Sequence, residues 1–74
     1  MNNKIKKVVM RFKEMHPDKR IQDIAAMVFP DKKPKRAREI LSRWLNGHDL
    51  EYVRVKDIVQ MCKVFNVTPN DLIE

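Results

Sequence analysis

One glycine and one cysteine are all that 74 residues contain, and each scarcity removes a class of structure. A β-rich chain of this size needs glycine in its hairpins and bulges, so a solitary Gly47 argues for helices joined by turns of other residues. Cys62 has no second cysteine to pair with and sits in no paired Cys/His spacing, which excludes an internal disulfide and a structural zinc site and fits a reducing, cytoplasmic setting. Long apolar runs are missing as well. Lys4, Lys6, Lys7, Arg11 and Lys13 interrupt the N-terminal stretch, so neither a membrane span nor a leader-peptide core is expected, and the chain is read as unprocessed and without a membrane partner. Aromatic residues make up only 7% of the chain, too few for the stacking platform that single-strand readers set beside their cations.

What remains is a chain 43% apolar and 35% charged, the balance of a compact helical domain. At this length a single core buries roughly 60% of the unfolded surface, so residues 1–74 are read as one domain with no room for a deep substrate cleft. No nucleophile and base stand at a defined spacing, and His16 and His48 flank only a proline stop and a glycine. No catalysis, metal, cofactor or small-molecule substrate is therefore expected.

Charge is distributed unevenly. Residues 1–48 carry 13 Lys/Arg against 5 Asp/Glu, a balance of +8, while residues 49–74 carry 3 against 5, a balance of −2, together the net +6. The basic side therefore belongs to the first two thirds of the chain and suits a polyanion, although a solvated surface satisfies the same count.

Periodicity divides the chain into helices. Ile5, Val8, Val9, Phe12 and Met15 recur at helical steps after a cap at Asn2 or Asn3, and Pro17 ends that helix by forcing His16 out of helical geometry. Asp18 offers a second cap before Ile21, Ile24, Ala25 and Val28, a short helix stopped at Pro30. Pro34 suits the first position of a third helix that runs to Asn46, with Gly47 as a left-handed cap. The stretch NGHDLEYVR reads as a loop, after which Val55, Ile58, Val59, Cys62 and Phe65 form a fourth stripe that Asn66 can end. Thr68, Pro69 and Asp71 outline a stub of a fifth helix before Leu72 and Ile73. The expectation is a compact all-α bundle of four to five helices, with methionines filling gaps in its core.

The third helix is the unusual one. Five cations fall within KKPKRAR, residues 32–38, and at ~100° per residue Ala37, Ile40, Leu41, Trp44 and Leu45 share one arc while Lys35, Arg36, Glu39, Ser42 and Arg43 share the other, with Arg38 at the border. Trp44 lies on the apolar arc and is read as core.

The order IQDIAAMVF, REILSRWLNG, VKDIVQMCKVFNVTPNDL resembles the helix-turn-helix DNA-binding domain of the lambda-repressor-like, Cro/repressor family. The closest local matches are Ile24-Ala25, Leu41-Ser42-Arg43-Trp44 with Asn46-Gly47, and Phe65-Asn66-Val67 before Asp71-Leu72. The resemblance implies that helices two and three form the motif and that helix three reads double-stranded DNA, with Lys35, Arg36, Glu39 and Arg43 as base-reading candidates. Lys19, Arg20, Gln22, Lys32, Lys33, Arg38 and Ser42 are then the phosphate candidates. Glu39 also lies four residues from both Lys35 and Arg43, positions that favour a helix-surface ion pair. Three features depart from the family pattern: VFPDKKPKRA makes the connection about six residues longer than the usual 3–4-residue turn, Gln22 stands one place later than the family's common glutamine, at Ile21, and Leu45 follows Trp44 where an acidic residue is common. A homodimer on two half-sites would multiply the few base contacts of so small a module. Tyr52, Val53, Leu72 and Ile73 are its candidate surface, or else the close of the monomer's core. A protein-interaction module using the same basic face against an acidic partner is the alternative function, and RNA binding a third.

Overall fold

The computed structural model describes residues 3–73. It is an all-α bundle of four helices, α1 (Lys4–Met15), α2 (Ile21–Val28), α3 (Pro34–Leu45) and α4 (Val55–Phe65), with single 3₁₀ turns at Leu50–Tyr52 and Pro69–Asp71. The expected fifth helix is thus one 3₁₀ turn, and NGHDLEYVR, expected as plain loop, holds another.

Helix ends follow from a few side chains. The Asn3 carboxamide accepts from the Lys6 N–H at 3.0 Å and donates to the Trp44 carbonyl at 2.8 Å, so one residue caps α1 and ties it to the last turn of α3. Asn2, the alternative cap, lies outside the described residues. Asp18 does not cap α2, because Pro17 and Asp18 are taken up by a turn closed by Lys19 N–H on the His16 carbonyl at 3.0 Å. The helix starts after Arg20 instead, and Asp23 turns back to accept the Arg20 N–H at 2.9 Å. The same device recurs where Asp57 accepts from Arg54 at 3.0 Å and Asp71 from Thr68 at 2.9 Å. At the far end of α3, Gly47 adopts φ +81°. Its N–H reaches the Trp44 carbonyl at 3.0 Å and that of His48 the Arg43 carbonyl at 2.8 Å, the paired bonds of a Schellman ending.

The core draws on every helix: Ile5 and Val9 of α1, Ile24, Ala25 and Val28 of α2, Ala37, Leu41 and Trp44 of α3, Ile58, Met61 and Phe65 of α4, with Phe29 and Leu72 completing it. Phe29 meets Trp44 edge-on at 5.2 Å, and Phe12 meets Phe65 likewise. Helices α2 and α3 share the broadest contact in the bundle. The helical ends reach inward from both sides of VFPDKKPKRA and leave only residues 29–33 between them, so half of the long connection expected there is helix.

Three apolar expectations are corrected. Met15 is exposed because α1 outruns the core by its last residue, and Val55 and Val59 face outward while Met61 takes their place inside. With α4 so turned, the Gln60 amide donates to the Met27 carbonyl at 2.9 Å, an acceptor in the last turn of α2, and this bond accompanies the burial of Ile58, Met61 and Phe65. Leu72 is buried whereas Ile73 and Tyr52 stay largely exposed.

Among the described residues, Asp57 is the buried charged side chain of the core, only 5% exposed; it closes the start of α4 and lies 3.5 Å from the Nε of Arg54. Asp57→Ala is expected to cost about 1–2 kcal/mol, and Val55→Thr less than about 0.5 kcal/mol, both read from urea-denaturation midpoints. Equal losses would contradict this assignment of inside and outside on α4.

Candidate nucleic-acid interface

Helix α3 presents a buried arc of Ala37, Leu41 and Trp44, and that choice leaves Lys35, Arg36, Arg38, Glu39, Ser42 and Arg43 exposed. The periodicity of the sequence placed Lys35, Arg36, Glu39, Ser42 and Arg43 on the outside, and Arg38, at the border of the two arcs, joins them there. The structure divides them further. One groove runs between α2 and α3, where Gln22, Asp23 and Ala26 face Pro34, Lys35, Arg38, Glu39 and Ser42. A second hollow lies on the opposite flank of α3, where Lys32, Arg36, Ile40 and Arg43 face Asp49, Glu51, Tyr52 and Arg54. Gln22 is therefore brought beside Lys35, Arg38 and Ser42, and Lys32 beside Arg36 and Arg43. Lys19, Arg20 and Lys33 line neither hollow; Lys19 and Arg20 stand just before α2, and Lys33 is the residue from which α3 starts.

The ion pairs differ from those that i,i+4 spacing suggests. Glu39 meets neither Lys35 nor Arg43 but Arg36, three residues away, at 3.5 Å across the ridge between the two hollows. Arg43 instead donates its Nε–H to the Asp49 carboxylate. The reason lies in the loop: Gly47 turns the chain back, and Asp49 holds a left-handed backbone, φ +60°, that sets its carboxylate against the last turn of α3. Aspartate is among the non-glycine residues that accept this conformation most readily. The hydrogen bond from Arg43 holds the Asp49 carboxyl below its ordinary range, with the charges of Arg43, His48 and Arg36 adding to it, and raises the guanidinium of Arg43 in turn.

The start of α3 is basic. Helices α2 and α4 and the final 3₁₀ turn each carry an aspartate in their first turn, whereas α1 and α3 carry none; α3 places Lys35 and Arg36 there, behind Lys32 and Lys33. Cations at the positive end of a helix dipole oppose folding slightly and favour an external anion.

Sequence reasoning missed Asp49, Arg54, Glu51 and Tyr52 as neighbours of α3, and Asp23 and Ala26 on the α2 side. The glycine cap was the available signal for Asp49, since a chain reversed at Gly47 must lay its next residues along the end of α3. Elsewhere, among the described residues, no three His, Cys, Asp or Glu side chains gather in a way that could hold a metal ion. No described helix is long and apolar enough to cross a membrane. Comparison with family models, curated proteins and solved structures finds no significant match to this chain.

Proposed function

We propose that the chain is a sequence-specific regulator that binds double-stranded DNA in the manner of the lambda-repressor-like, Cro/repressor domains, with α3 laid in the major groove. The observation that carries this reading is the outward face of α3: a helix whose first turn carries cations and no carboxylate, continued by exposed Arg38 and Arg43. The major groove admits one such helix, and arginine reads guanine there through two parallel hydrogen bonds. Arg36 and Arg43 take that role, Lys35 and Glu39 lie beside them, and Gln22, Arg38 and Ser42 reach phosphates from the groove between α2 and α3. Lys19, Arg20, Lys32 and Lys33 add phosphate contacts that fix register and carry no sequence information.

The same reading favours two copies on a two-fold related site, because one short helix touches few bases. Tyr52 and Ile73 are the apolar side chains left outside for that contact; Leu72 is used up by the core and Val53 is half-buried.

Selection of bound duplexes from a randomised pool in low salt tests the proposal. Enrichment of one motif supports it, and a palindromic motif supports the dimer; a pool that stays random sinks DNA recognition and leaves an acidic protein as the partner to seek. On the enriched duplex, Arg36→Ala is expected to lower discrimination against a substituted guanine by roughly ten-fold, whereas Lys19→Ala should weaken every duplex alike.

A further inference from the structure

Among the described residues, Arg43 is the one cation of α3 held by a side chain from outside its own helix. Its partner sits in a loop shaped for that contact. Asp49 is one of two non-glycine residues with positive φ, and it stands at the start of a 3₁₀ turn that its carboxylate does not cap. An aspartate at such a position ordinarily accepts from the backbone of the turn it begins; here the carboxylate is turned the other way, onto the Nε of Arg43. Because the bond is made through Nε, both Nη groups remain for another acceptor, and the side chain is still about half exposed. Arg36 is arranged differently, since its Nη1 is the atom that meets Glu39.

We propose that Asp49 is a positioning residue for base reading: by holding Nε it restricts the rotamers of Arg43 and aims the two Nη groups outward as a fork for guanine O6 and N7. This rests on the DNA-binding reading of α3. A guanidinium oriented before it meets DNA loses less freedom on binding than a free one, so its bidentate bond discriminates more strongly. The same carboxylate repels phosphate, which weakens binding to any duplex. Asp49 therefore exchanges overall affinity for selectivity and makes Arg43 a stronger reader than Arg36.

The test uses a duplex enriched by the wild-type protein, versions of it with each guanine replaced in turn, and an unrelated duplex. Asp49→Gly keeps the left-handed turn without a carboxylate, and Asp49→Asn keeps both the turn and a neutral acceptor. Asp49→Gly is expected to lower discrimination at one guanine by about five-fold while tightening the unrelated duplex by about two-fold. Asp49→Asn should lie between it and the wild type. In an Arg43→Ala background, Asp49→Gly should change discrimination no further. Unchanged discrimination in Asp49→Gly, beside a loss in Arg43→Ala, overturns the role of Asp49 and leaves the function standing; so does an equal loss in the Arg43→Ala background. A wild-type protein that enriches no duplex removes the function and this role together. Helical circular dichroism and thermal midpoints of both variants separate these results from unfolding.

Discussion

Trp44→Ala is expected to remove roughly a third to all of the stability of the fold, seen as a urea transition moved to far lower denaturant and an early loss of helical circular dichroism on heating. The indole is only 3% exposed, stacked edge-on against Phe29, and its own carbonyl accepts from both Asn3 and Gly47. Truncating such a side chain costs about 3–5 kcal/mol, and a domain of 74 residues has roughly 4–11 kcal/mol to lose. The carbonyl bonds to the start of α1 and to the glycine cap belong to the backbone and survive the substitution, so the loss is that of the buried indole against Phe29. Trp44→Phe should retain the fold with a lowered midpoint. A Trp44→Ala protein with a wild-type midpoint would mean that the indole is not part of the core, and that α3 is rotated from the position described.

Salt should act on function as strongly as Trp44 acts on folding. Five cations, Lys19, Arg20, Lys32, Lys33 and Arg38, are assigned to phosphates, so log affinity for duplex should fall against log salt with a slope of about −4.5, roughly a 500-fold loss from 50 to 200 mM. Each Lys→Ala substitution among them should reduce that slope by about 1, while Arg36→Ala should leave it nearly unchanged and act on base discrimination. A flat salt response would dismiss phosphate neutralisation as the source of affinity. A slope near about −2.7 would mean that α3 docks with Lys32 and Lys33 of the α2–α3 connection pointing away from the duplex.

The sequence made some features legible and left others hidden, and the difference is physical. Pro34 and Gly47 fix the two ends of α3 by local stereochemistry, so both ends could be read directly, and a 3.6-residue period with Ala37, Leu41 and Trp44 inside determines what lies outside. The rotation of α4 was not legible, because Met61 is as suitable for burial as Val55 or Val59. The observed rotation goes with contacts distant in sequence, among them a hydrogen bond from Gln60 to Met27, 33 residues away. The cap of α2 was misplaced for a related reason: Asp18 and Asp23 are both competent, and the turn after Pro17 decides between them. At the interface, exposure of the cations followed from period alone, but their partners did not. Whether Glu39 meets Lys35, Arg36 or Arg43 depends on rotamers, and Arg43 was claimed by a carboxylate whose position depends on one left-handed residue in a loop.

The ammonium group of Lys4 donates to the carbonyls of Asn70 and Ile73, 66 and 69 residues downstream, beside the buried Leu72. The two ends of that contact are separated by α2, α3 and α4, so its loop-closure cost is met cheaply only when those helices already hold α1 near the final 3₁₀ turn.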